Sequence, residues 1–85
     1  MSIERIGELT ALGRQVLASE MDGAVDRARL EEFHREAKGL VEAIYPGSQR
    51  ARVFEEAPGA AQVRRGLTVL EEIRAEIEYA GSFGH

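Results

Sequence analysis

Asp26-Arg27-Ala28-Arg29-Leu30-Glu31-Glu32-Phe33-His34-Arg35-Glu36-Ala37-Lys38-Gly39-Leu40-Val41-Glu42-Ala43-Ile44-Tyr45 carries the clearest amphipathic pattern in the chain. Its apolar members Leu30, Phe33, Ala37, Leu40, Val41 and Ile44 recur at three- and four-residue steps, while Glu31, Glu32, Arg35, Glu36, Lys38 and Glu42 occupy the rest of the cylinder. That spacing belongs to an amphipathic helix with one buried face. Asp26 has the side chain to accept backbone N–H bonds as N-cap, and Val25 and Leu30 flank the start as a hydrophobic staple. Pro46 pushes Tyr45 out of the α region and Gly47 follows, so the helix is predicted to stop at about Tyr45.

The same period extends on both sides of this segment. From Ser2, a plausible N-cap, to about Glu20, the residues Ile3, Ile6, Leu9, Leu12, Val16 and Leu17 form a stripe covering nearly half of a helix, opposite Glu4, Glu8, Gln15 and Ala18. A stripe that wide calls for two packing neighbours. Gly7 and Gly13 each lower helix propensity by about 1 kcal/mol relative to Ala, so they reflect either close helix–helix approach or simple tolerance. Met21 to Val25 is a short connection. Downstream, Ser48 can cap a short helix over about Gln49–Glu56 with Val53 and Phe54 facing inward, and Pro58-Gly59 breaks it. The last helix is predicted over about Ala60–Ala80, with Val63, Leu67, Leu70, Ile73 and Ile77 on the core stripe. Gly81 is its expected stop, and residues 81–85 are read as a flexible C-terminal tail.

These elements specify an all-α fold, a small antiparallel helical bundle of three long helices and one short one, because short connections favour neighbours that reverse direction. The chain has 85 residues, enough for one core, so residues 1–80 are expected to form a single domain. A hydrophobic fraction of 44% beside 31% charged residues is that of a folding chain. The net charge of −4 offers no global attraction to nucleic acid or anionic lipid. The absence of cysteine excludes disulfides, thiolate metal sites and a cysteine nucleophile, and fits a reducing, cytoplasmic location. The N-terminus lacks an apolar signal core, and no run approaches the roughly 18 apolar residues of a membrane span. Membrane association is not expected.

Catalytic and ligand-binding chemistry has little to stand on. Glu31 and His34 have the Glu-x-x-His spacing of carboxylate-bridged di-iron bundles, but a second copy is missing and the other histidine is His85 at the terminus. No metal site is expected. Ser2, Ser19, Ser48, Ser82, Thr10 and Thr68 lack a base held by a third group. Glu71, Glu72, Glu76 and Glu78 read as a solvated helix face rather than a paired acid and base. Neither glycine pattern of phosphate-binding loops occurs, and no cofactor is expected. The chain is therefore read as a non-enzyme.

Two surface features stand out instead. Arg50, Arg52, Arg64 and Arg65 place four of the eleven basic residues between positions 50 and 65. They form either an anion or nucleic-acid patch or a set of surface arginines paired with nearby Glu. Tyr79 projects away from the core stripe and Phe83 lies past the expected helix end. Each is either a contact with another chain or a missing domain, or part of a C-terminal tail folded back over the bundle; Ile3, Leu12 and Leu17 on the wide first stripe are candidate partner contacts too.

Phe33-His34-Arg35-Glu36-Ala37 through Leu40-Val41-Glu42-Ala43-Ile44-Tyr45, then Gly47-Ser48 and Val53-Phe54-Glu55, is similar to a helix–turn–helix pattern in a small helical domain. Arg65-Gly66-Leu67-Thr68-Val69-Leu70-Glu71-Glu72-Ile73 looks like that domain's final helix. The resemblance, over about residues 30–80, is to N-terminal accessory modules of bacterial antiviral or nucleotide-sensing effectors, which often precede TIR-like domains. It implies a non-catalytic interaction or oligomerisation module, an accessory component of a bacterial defence or signalling system. The alternative is a small nucleic-acid-binding or regulatory protein using the arginines.

Overall fold

The computed structural model describes residues 3–22 and 24–83, with side chains described to residue 80. Four α-helices follow one another: α1 (Ile3–Ala18), α2 (Arg27–Ile44), α3 (Gln49–Arg52) and α4 (Ala60–Phe83), with a 3₁₀ turn at Val53–Glu55 after α3. The fold is all-α. Among the described residues β-pairing is confined to an isolated bridge, in which Met21 and Ala24 exchange both backbone hydrogen bonds (2.7 and 2.9 Å) across the α1–α2 connection. Asp22 takes the left-handed conformation inside that turn, with φ of 54°. Asp is one of the few side chains that tolerates it.

The ends of the elements follow from local chemistry. Asp26 caps α2 by accepting from Arg29 N at 3.2 Å, and Ser48 caps α3 by accepting from Ala51 N at 3.2 Å. Val25 and Leu30, on either side of Asp26, both pack on the core. The chain leaves α2 through Tyr45 and turns at Gly47, whose φ of 73° is open to glycine without steric cost. The proposed cap Ser2 lies outside the described residues.

Two predicted boundaries shift. The short helix expected over Gln49–Glu56 tightens after Arg52 into the 3₁₀ turn, whose Val53 carbonyl accepts from Gln62 Nε2 at 3.1 Å. The bond ties α4 to the turn. The last helix does not stop at Gly81 but runs to Phe83. A glycine ends a helix by entering the left-handed region, and among the described glycines only Gly47 does so.

Ion pairs between the helices reveal their directions. On α1 and α4, Arg14 meets Glu71 (3.3 Å), and Glu20, just past α1, meets Arg64 (2.6 Å), so the two helices run antiparallel. The Arg5–Glu36 ion pair (2.8 Å) and the hydrogen bond that Arg29 donates to Gln15 (3.3 Å) show the same for α1 and α2. The wide stripe of α1 is thus shared between two neighbours, chiefly α4 and then α2. α3 and the 3₁₀ turn lead back along α2 and α4 and close the remaining side.

The core is built around Phe33 and Phe54, both inaccessible to solvent, with Ile6, Leu9, Val16, Val41, Val63, Leu70 and Ile73. Gly13 on α1 and Gly66 on α4 provide the room for the rings. A Cβ on Gly13 would lie 2.8 Å from Phe33 Cε1, and one on Gly66 would lie 3.0 Å from Phe54 Cε1 and 3.4 Å from Phe33 Cε2. Fully buried positions on α4 end at Ile73; Ile77 is half-buried, and residues 74–76 and 78–80 are exposed. At about 1.5 Å per residue α4 is roughly 36 Å long, and the molecule measures 47 × 24 × 16 Å.

Candidate functional site

The four arginines between positions 50 and 65 do not converge. Arg64 pairs with Glu20 at 2.6 Å, and Arg65 pairs with Glu56. Arg50 reaches the other half of α4, where its guanidinium grips both oxygens of Glu76 (2.7 and 2.5 Å) and lies 3.8 Å from Glu72. It also stacks 5.2 Å from the centre of the Tyr45 ring, whose hydroxyl donates to Glu76 at 2.9 Å. Arg52 makes no ion pair among the described residues. It lines an open groove of about 610 Å³ with Glu42 and Glu55, carboxylates that make none there either.

The Tyr45–Arg50–Glu76 cluster joins the end of α2, the start of α3 and the outer half of α4. Hydrogen bonds from Arg50, then from Tyr45, hold the Glu76 carboxyl down at about 2, well below its ordinary 4.5. The same carboxylate raises Tyr45, first through its hydrogen bond, and raises Arg50. A depressed carboxylate stabilises the fold above its unfolded value and loses that contribution as pH falls through its folded value. Glu76→Gln is therefore expected to flatten the loss of stability between pH 4.5 and about 2. A carboxyl-carbon NMR titration of wild-type Glu76 should show its midpoint near the lower end; a midpoint near 4.5 would break the assignment.

Other polar residues singled out by the sequence lie apart from this cluster. Glu31 is exposed while His34 is half-buried, its ring tilted at 57° against Phe54 with centroids 6.3 Å apart. Among the described residues no group of three or more His, Cys, Asp or Glu is placed to hold a metal ion. Thr10 donates to the Ile6 carbonyl at 2.8 Å within α1, and Thr68 donates to the Arg64 carbonyl at 3.2 Å within α4. Gln62, which periodicity alone did not single out, is 2% exposed. Its amide ties α4 to the 3₁₀ turn, while its Oε1 and His34 Nδ1 are buried without a hydrogen-bond partner among the described residues.

Of the candidate partner contacts, Leu12 and Leu17 are half-buried and packed against the core, and Ile3 is half-buried at the start of α1. The Phe83 side chain lies outside the described residues. Tyr79 is different: it stands 67% exposed on α4, while both described phenylalanines are wholly buried. Met21, at the α1–α2 turn, is the other large exposed apolar side chain, at 77%. Around Tyr79, the face of α4 turned away from the core carries Ala61, Arg64, Arg65, Thr68, Glu71, Glu72, Ala75 and Glu78, all exposed. No described helix is long and apolar enough to cross a membrane. A scan against protein-family models finds no match, and searches of curated proteins and of solved structures find none.

Proposed function

We propose that this domain is a non-catalytic protein-interaction module, an antiparallel bundle of three long helices and one short one that presents the outer face of α4 to a protein partner. The observation that carries the reading is Tyr79. A large ring held 67% in solvent on a helix, in a chain that buries its described phenylalanines, is the kind of side chain that anchors interfaces. The resemblance of residues 30–80 to accessory modules of bacterial defence effectors points the same way, toward contact without catalysis.

The competing use of the arginines in nucleic-acid binding is less favoured, because the four do not converge on one patch and the chain carries a net charge of −4. Salt-dependent retention of DNA or RNA, lost in an Arg64→Ala/Arg65→Ala variant, would reverse that preference. For the interaction reading, a photo-crosslinking amino acid in place of Tyr79 is expected to give protein adducts. Wild-type protein should compete these away and the Tyr79→Ser variant should not, while the same label at Glu32 on α2 gives none. Absence of competed adducts from position 79 would remove the reading.

A further inference from the structure

The geometry points to a second copy of this chain as the partner, docked through an antiparallel α4–α4 pair about a twofold axis near Glu71 and Glu72. This rests on the interaction reading and adds to it the identity and orientation of the occupant.

Charge is divided along the outer face of α4. Its first half carries Arg64 and Arg65, and its second half carries Glu71, Glu72 and Glu78, the last paired with Arg74 one turn back at 3.0 Å. Arg64, Glu71 and Glu78 succeed one another at seven-residue steps, as do Arg65, Glu72 and Tyr79, so each series keeps to one edge of the helix. Turning a second copy end for end sets the basic half of each helix against the acidic half of the other. In that register Arg64 meets Glu78 of the second copy, and Arg65 meets Tyr79 of the second copy, where a guanidinium can lie on the ring. The contact is isologous, so each pairing occurs twice. Thr68 and Ala75, opposite one another across the axis, are small enough to let the backbones approach. The glutamates at the axis each lie near a cation of their own chain, Glu71 with Arg14 at 3.3 Å and Glu72 with Arg50 at 3.8 Å, which offsets their mutual repulsion. A parallel pair would instead set arginine beside arginine and Glu71 beside Glu72. The outer faces of α1 and α2 have no exposed aromatic side chain among the described residues.

Exposed ion pairs contribute little each, and here they exchange with intramolecular pairs of the same kind, so the charges set orientation while Tyr79 and the small residues supply contact. The pair is accordingly weak, and it weakens further with salt.

Sedimentation equilibrium from micromolar to millimolar concentration tests this, with circular dichroism to confirm helicity. Wild type is expected to dimerise, and Tyr79→Ser, Arg64→Glu and Glu78→Arg each to weaken the dimer by roughly tenfold or more, since a reversal acts at both symmetry-related edges. An equimolar mixture of the Arg64→Glu and Glu78→Arg chains restores opposite charges at both edges and recovers the dimer. The double variant Arg64→Glu/Glu78→Arg does the same on its own, which keeps the test decisive if one single variant folds poorly. A wild type that stays monomeric at millimolar concentration overturns the proposal, as does a dimer indifferent to both reversals or a mixture without recovery. If the Tyr79 crosslinker captures only a different protein, self-pairing falls and the interaction reading stands; if it captures nothing, both fall.

Discussion

Phe33→Ala is expected to cost about 3–5 kcal/mol, the range for removing a buried aromatic ring and leaving a cavity. A domain of this length has about 4–13 kcal/mol of stability in total, at roughly 0.05–0.15 kcal/mol per residue. The substitution therefore removes most of the stability at the low end of that range. The reason for placing the largest effect here is position: the ring is wholly buried on α2 and reaches the backbone of both Gly13 on α1 and Gly66 on α4. On two sides the ring abuts glycines held within helices, which have no side chain to move into the space. Urea unfolding followed by circular dichroism measures it through the shift in midpoint. A loss below about 1 kcal/mol would be incompatible with a ring at the centre of the core.

Gly13→Ala should destabilise although it improves helix propensity. An added Cβ would lie 2.6 Å from Leu67 Cδ2, 2.8 Å from Phe33 Cε1 and 3.1 Å from Phe33 Cζ. The leucine methyl can swing aside, but the Phe33 ring is confined on its far side by α4. Overpacking of this kind costs about 1–3 kcal/mol, against a propensity gain of about 1 kcal/mol, so the net change is a loss of up to about 2 kcal/mol. Gly39→Ala provides the opposite sign in the same assay. Gly39 sits inside α2 with nothing within 4 Å of an added Cβ and with φ outside the left-handed region, so alanine there is expected to stabilise by about 0.5–1 kcal/mol. If both substitutions stabilise, the close approach of α1 to the Phe33 ring is wrong.

These two residues show how far the fold could be read beforehand. Phe33 announces itself as core because it lies on the Leu30–Ile44 stripe, and hydrophobic period is a local property of the chain. Gly13 is ambiguous in sequence, since a tolerated glycine and a glycine under a neighbouring ring leave the same letter. Only the packing of Phe33 against it separates the two readings. Gln62 is ambiguous for a related reason: a polar residue on helix spacing reads as surface, and its burial depends on the turn at Val53 folding back to take its amide.

The candidate site divides along the same line. Tyr79 was legible as an outward side chain because its angular position on α4 is set by helix geometry alone. The arginines were legible as a group only along the chain. In space, Arg50 reaches Glu76 and Arg64 reaches Glu20, and these pairings join elements far apart in sequence.

Local sequence alone sets the helical class, most of the apolar residues that face inward on each long helix, the caps at Asp26 and Ser48, and the turn at Pro46-Gly47, but not the burial of Thr10, Gln62 and Val69. Each feature it sets depends on period, on a side chain bonding its own backbone, or on a restricted φ, all of which act within a few residues. Tertiary structure settles which helices touch, why Gly13 is glycine, and that the basic cluster is dispersed into separate ion pairs. Those outcomes depend on contacts between segments tens of residues apart, whose distances no local pattern encodes.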